Sequence, residues 1–170
     1  MKILVVDDDP SVVELLPVIL ANEGFRNVHC FMSAEEGLAA VKEPHSSFDC
    51  LILDINMPGM NGIKLCERVR SLANYRNVPI VMLTSLRDDE TVRAALRAGA
   101  TDYITKPFDV LQIGVRIQIS AKIAQANDSI TRHFDLKEGG GSPQSAKTFP
   151  VTRKEIMNMF SDDLYGSKKR

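Results

Sequence analysis

The chain reads as an α/β protein: a doubly wound parallel sheet of five strands, followed by a helical C-terminal tail. Three features predict this. Short apolar runs alternate with helical patterns from the N-terminus to about residue 125. The central run, Cys50-Leu-Ile-Leu53, is apolar throughout, as a strand covered on both faces must be. Residues able to do chemistry (Asp7-Asp8, Asp54, Thr84 and Lys106) each stand just past such a run, where an open α/β sheet presents its ligand-binding groups.

The elements follow in order. The first strand spans Lys2 to Val6. A helix comes next, with Asp9 near its start, Pro10 in its first turn and Gly24 past its end. Pro17 lies inside it and should kink the helix or remove a backbone hydrogen bond. The second strand is Val28 to Phe31, and Ser33-Ala-Glu-Glu36 then forms a capping box in which Ser33 and Glu36 satisfy each other's backbone donors. The third strand, Cys50 to Leu53, delivers Asp54 into the turn-rich stretch Ile-Asn-Met-Pro-Gly-Met-Asn-Gly62. A helix over about 62–72, a strand from Ile80 to Leu83, a helix from about Asp88 to Ala98 capped by Gly99, and a strand from Asp102 to Ile104 complete the alternation. The last helix starts near Asp109. Within it Leu111, Ile113, Val115, Ile117 and Ile119 alternate with period two, which alone reads as a strand. Its position and the run Ser120 to Asn127 argue for helix.

The expected organisation is a domain over 1–126, a flexible linker over 127–150 and a short amphipathic helix over 151–166. Glu138-Gly-Gly-Gly-Ser-Pro143 marks the break. Thr152-Arg-Lys-Glu155 is a second capping box, with Val151 and Ile156 placed as a hydrophobic staple, and Ile156, Met159, Phe160 and Leu164 share one helical face. The Gly-rich run equally resembles an engineered linker, which would make the tail a fused peptide.

With 170 residues, 44% of them hydrophobic, and a net charge of −1, nothing in the composition favours nucleic acid or an anionic membrane as partner. No apolar run is long enough for a bilayer span or a signal peptide. The three cysteines, Cys30, Cys50 and Cys66, read as reduced thiols without metal-ligand spacing, so the expected location is cytoplasmic. His29 is expected to be structural, and His45 and His133 exposed.

Taken singly, each candidate site residue has an ordinary reading. Asp7, Asp8 and Asp9 could cap the first helix, which is the preferred role for Asp9, and Asp54 could start a turn. Thr84 could be a strand-end hydroxyl and Lys106 a solvated charge. Their joint placement is the informative part: clustered carboxylates at strand tips make a hard-oxygen site suited to Mg²⁺.

The motifs Leu4-Val-Val-Asp-Asp8, Leu53-Asp-Ile-Asn-Met-Pro-Gly-Met-Asn-Gly62, Leu83-Thr-Ser85 and Ala98-Gly-Ala-Thr-Asp-Tyr-Ile-Thr-Lys-Pro-Phe108 resemble the receiver domain of bacterial two-component response regulators, including the single-domain chemotaxis type. The resemblance covers nearly all of residues 1–125. It implies a flavodoxin-like strand order of 2-1-3-4-5 and phosphorylation of Asp54 by a histidine kinase or histidine phosphotransfer protein. It implies Mg²⁺ held by Asp8, Asp54 and the backbone carbonyl of Asn56, with Asp7 acting through water. It also implies charge neutralisation by Lys106, a hydrogen bond from Thr84 to the phosphoryl group, a switch role for Thr84 with Tyr103, and a cis Lys106-Pro107 bond. Output would pass to a downstream protein target through the face beside Tyr103, with a homodimer or docking of the tail helix as further expectations. Three rivals stand beside this reading: a receiver fragment of a larger regulator carrying an added tail, a degenerate receiver that works without phosphorylation, and a haloacid-dehalogenase-type phosphatase. The intact Asp54, Thr84 and Lys106 oppose the second. The third wants an acid where this chain has Asn56.

Overall fold

The computed structural model describes residues 1–85, 89–108 and 110–135, with side chains described as far as residue 126. Five parallel strands, β1 (Lys2–Val6), β2 (Asn27–Phe31), β3 (Cys50–Asp54), β4 (Ile80–Thr84) and β5 (Asp102–Thr105), form one sheet in the order β2-β1-β3-β4-β5. Around it lie α1 (Pro10–Asn22), α2 (Ala34–Lys42), α3 (Gly62–Arg70), α4 (Asp89–Arg97) and α5 (Val110–Asp135).

Alternate residues of each strand feed opposite layers, as a period-two element requires. Leu4, Val6, Leu51, Leu53, Ile80 and Met82 join the core that also holds Leu38 and Val41 of α2, Leu65 and Val69 of α3, and Ala95 of α4. Ile3, Val5, Cys50, Ile52, Val81 and Leu83 join the core that holds Leu16 and Leu20 of α1 and Ile113 and Ile117 of α5. Every residue of β3 and β4 is buried, in keeping with their apolar composition. The parallel register pairs Val6 with both Phe31 and Leu53, Asp54 with Leu83, and Thr84 with Thr105. The strand tips therefore end level with one another, and whatever follows each tip converges on one edge of the sheet.

The local expectations resolve individually. Asp9 caps α1 by accepting from the Ser11 N–H, and the helix continues through Pro17. Ser33 accepts from the Glu36 N–H at 3.2 Å, but the Glu36 carboxylate takes the N–H of Met32, not that of Ser33. Half of the capping box is thus displaced by one residue, which satisfies a donor just ahead of the cap. Helix α3 ends at Arg70, earlier than the expected Leu72. Ser71 caps this end, its hydroxyl donating to the Arg68 carbonyl. Leu72 is extended and a 3₁₀ turn follows over Ala73–Tyr75, while the Arg70 guanidinium turns inward to donate to the carbonyls of Gly99, Tyr75 and Val78. The alternating segment is helix. Ile113 and Ile117, four apart, are buried, while Leu111, Val115 and Ile119, also spaced by four, are 72%, 46% and 43% exposed. One sequence pattern therefore supplies two apolar faces of one helix. That helix runs to Asp135, so the change of character placed after residue 126 falls inside it and the expected start of the linker at 127 is corrected. Residues 136–150, the amphipathic helix over 151–166 and the side chain of His133 lie outside the described residues.

Cys50 and Cys66 are buried and Cys30 partly so, all free. Burial pushes the Cys50 thiol up to about 12 and the Cys66 thiol to about 11, leaving little thiolate near neutral pH. His29 is held by ordinary contacts, a hydrogen bond to Asn27 and an edge-on approach to Phe48.

Gly62 opens α3 directly behind the tip of β3. A Cβ placed there would clash with the Asp54 carbonyl oxygen and lie 3.1 Å from the Ile55 Cα, both backbone atoms with no rotamer to yield. Gly62→Ala is expected to destabilise the domain by about 2–4 kcal/mol in urea titration. A loss below about 0.5 kcal/mol would show that the α3 start is free to shift.

Candidate functional site

Four elements end at the site. β1 leads to Asp7 and Asp8, β3 ends in Asp54, β4 ends in Thr84, and β5 leads to Lys106. Asp7, Asp54 and Thr84 are buried, with relative exposures of 0%, 3% and 0%. They are the polar continuations of apolar strands, carried into the interior because the strands themselves are buried.

Lys106 reaches back across this cluster. Its Nζ lies 2.6 Å from Asp54 Oδ1 and 2.7 Å from Asp7 Oδ2. The backbone supports this reach, the Lys106 N–H donating to the Thr84 carbonyl at 2.7 Å. As expected, Lys106-Pro107 is cis. The remaining carboxylate oxygens are also engaged. Asp7 Oδ1 accepts from the Asp9 N–H at 3.0 Å, and Asp54 Oδ2 accepts from the Asn56 N–H at 2.7 Å. Two buried carboxylates and one cation leave a surplus negative charge before Asp8 is counted.

The titration behaviour follows. Burial pushes the Asp7 carboxyl above the usual carboxylate range, and the hydrogen bond from Lys106 offsets this only in part. Burial alone would lower Lys106, but hydrogen bonds to Asp54 and Asp7 outweigh it and hold the ammonium above the ordinary lysine range. The side chain is therefore a cation at neutral pH.

Asp7, Asp8 and Asp54 each offer an oxygen within 4.8 Å of the others, Asp8 being the most exposed of the three. An all-oxygen donor set with surplus negative charge fits a hard divalent cation. No other such cluster occurs among the described residues. The structure thus brings Asp7, Asp8, Asp54 and Lys106 together, with the Asn56 backbone on the acceptor and Thr84 at the neighbouring strand tip. Tyr103 stands apart on β5, partly buried against the core that includes α4. Its neighbour Asp102 pairs with Arg116 of α5 at 2.6 Å.

The sequence reading gave Ser85 no role. In the structure its hydroxyl accepts from the Asn56 side-chain amide at 3.2 Å, linking the β3–α3 and β4–α4 loops. The only signal was a second hydroxyl after Thr84, too common to single out.

A family model described as "Response regulator receiver domain" matches residues 3–118. The transcriptional regulatory protein YvrH of Bacillus subtilis is 38% identical over 121 residues, 71% of this chain and 49% of that protein. The DNA-binding response regulator MtrA of Mycobacterium tuberculosis is 41% identical over 117 residues, 69% of this chain and 49% of that protein. The chain thus spans about half the length of the curated relatives it matches. Among solved structures, chemotaxis protein CheY4 of Vibrio cholerae aligns with a TM-score of 0.65 at 31% identity, covering 70% of this chain and 97% of that one. A CheY-like response regulator receiver domain protein from Methanospirillum hungatei aligns with a TM-score of 0.68 at 29% identity, covering 74% and 97%.

The coupling of Lys106 to its carboxylates has a stability consequence. Because its folded pKa is raised, it contributes stability that is complete below its ordinary value of 10.5 and is lost as pH rises beyond that. The stability difference between wild type and Lys106→Met is expected to shrink through this alkaline window in urea titrations. Parallel pH profiles for the two proteins would refute the coupling.

Proposed function

The chain belongs to the response regulator receiver domain family, and we propose on that footing that Asp54 is its phosphoacceptor, with a histidine kinase or histidine phosphotransfer protein as donor. The observation that carries the proposal is Lys106 Nζ within hydrogen-bond reach of both Asp54 and Asp7. In phosphoryl transfer the protein's task is positioning and neutralising charge. An Asp54 carboxylate oxygen attacks phosphorus, the bond from phosphorus to the donor nitrogen breaks, and its electron pair leaves with the imidazole. Lys106 turns from a partner of the carboxylate into a partner of the transferred phosphoryl oxygens. Asp8 and Asp54, with the Asn56 carbonyl and with Asp7 through water, would hold Mg²⁺, which supplies further neutralisation of those oxygens.

Thr84, at the tip of β4, would donate its hydroxyl to the bound phosphoryl group, and Tyr103 on the adjacent β5 would follow that movement. The result is a shift between two arrangements of the face that contacts a downstream protein target. We assign no turnover of an external substrate: the domain promotes its own phosphorylation and, through water, its own dephosphorylation. We place the receiver in the cytoplasm on its family membership; no helix among the described residues is long and apolar enough to cross a membrane. A second reading is favoured by relatives such as the DNA-binding MtrA, matched over only 49% of its length: the domain would serve as the input unit of a larger regulator, with nucleic acid met by another part of that protein. The exposed apolar face of α5 supports a homodimer in either case.

Incubation with phosphoramidate and Mg²⁺ should label the chain at a single site, and Asp54→Asn should abolish the label. Full labelling of that variant would overturn the assignment. Mg²⁺ alone should stabilise wild type by about 2–3 kcal/mol when present at a hundred times its Kd, and Asp8→Asn should remove most of that gain. An Asp8→Asn variant stabilised as fully as wild type would exclude the acidic cluster as the metal site.

A further inference from the structure

The outer margin of the sheet carries a second surface, separate from the acidic cluster. β2 stands at the edge and pairs with β1 alone, in unbroken register from Asn27 to Phe31. The Phe31 carbonyl accepts from the Asp7 N–H, so Asn27, His29 and Phe31 turn their backbone groups towards β1. Those of Val28 and Cys30 then point outward, and no backbone group among the described residues pairs with them. An edge of this kind is ordinarily blunted by proline, lysine or a bulge, and Asn-Val-His-Cys-Phe has none of these. Beside this edge, on the α2 side, lies an open groove of about 750 Å³. His29 and Phe31 line it from β2, Ala39 and Ala40 from α2, with the Phe48 ring edge-on to His29.

The groove is also charged. Glu36 and Glu43 line it from the α2 side, two helical turns or ~10.5 Å apart along the axis. Neither carboxylate has an ion-pair partner among the described residues. Lys2, which also borders the groove, is turned onto the Phe48 ring instead, its Nζ 4.5 Å from the centroid. We infer that the β2 edge is a docking site for an extended peptide with basic side chains at alternate positions, added to the sheet as a sixth strand. Val28 and Cys30 supply the main-chain hydrogen bonds to it. Successive side chains on one face of the added strand lie ~6.6–6.8 Å apart, which lets lysine or arginine reach both carboxylates. The apolar stems of those side chains cover Phe31 and Phe48. An acidic segment would instead meet Glu36 and Glu43 with like charge. The site stands apart from the phosphoacceptor reading, since it uses neither the acidic cluster nor Lys106.

The probe is a capped hexapeptide of alternating arginine and valine, titrated into the full chain and followed by hydrogen-exchange NMR. Exchange of the Val28 and Cys30 amides should slow about ten-fold or more, while the His29 amide, already in the ladder, should change little. Added salt should weaken the binding, and the same peptide with glutamate in place of arginine should give no protection. Glu43→Lys, at an exposed position, should weaken binding about ten-fold. Cys30→Pro removes an outward donor and leaves the ladder to β1 in place. It should abolish binding while phosphoramidate still labels Asp54; if that variant fails to fold, Glu43→Lys decides alone. Unchanged exchange at Val28 and Cys30 throughout the titration, equal binding of the glutamate peptide, or full binding to Glu43→Lys would each overturn the inference. Protection of both amides that rises with protein concentration in the absence of peptide would overturn it in favour of pairing between two copies of this chain.

Discussion

The ammonium of Lys106, set between Asp54 and Asp7 at 2.6 and 2.7 Å, is what makes the rest of the site tenable. Two carboxylates buried side by side would repel one another and each would forfeit its hydration, a combination that ordinarily drives protonation. One cation placed against both removes most of that conflict. It does not remove all of it, since Asp7 still titrates above the usual carboxylate range. The residual negative charge is not a defect of the fold. It is an attraction reserved for something positive, and it is concentrated where three carboxylates share one small volume.

Parallel strands explain how residues as far apart in sequence as Asp7 and Lys106 come to share this volume. Each crossover returns the chain to the same end of the sheet, so every strand points its carboxyl end the same way. The register then levels the tips, with Asp54 beside Leu83 and Thr84 beside Thr105. Burial of β3 and β4 on both faces holds these backbones rigidly, so the polar groups at their ends are placed by apolar packing. The fold and the electrostatics are therefore one design. The hydrophobic layers fix where the charges stand, and the charges decide what the open edge can accept.

Much of this was legible before any coordinates because the strand ends are marked by abrupt changes of chemistry. Val6 to Asp7 and Leu53 to Asp54 are steps from oil to charge, and such steps survive in a linear string. The chain is harder to read where one residue type serves two purposes. Leu111, Val115 and Ile119 are as apolar as Ile113 and Ile117, yet they face solvent, and their alternation imitates a strand. The early end of α3 was hard to see because its local mark is slight, a Ser71 hydroxyl on the Arg68 carbonyl, while the inward turn of Arg70 to the Gly99 carbonyl joins residues far apart in the chain. The Asn56–Ser85 contact was hidden for the same reason, since its partners lie on separate loops. Local chemistry can be read from a string, whereas pairings across the fold need the fold.

The inward turn of Arg70 has one more consequence. Its Nε holds the Gly99 carbonyl at 2.9 Å, and beside it the Cys66 thiol reaches the Ala98 carbonyl. Both ties grip the C-terminal end of α4, the end remote from Asp54, and Gly99 has space there only because it lacks a side chain: a Cβ would come within 2.9 Å of Arg70. Ala95 is the one described residue of α4 that is fully buried. Arg70 and Cys66 thus join α3 to the turn between α4 and β5, so the packing of one helix also sets where the last strand begins.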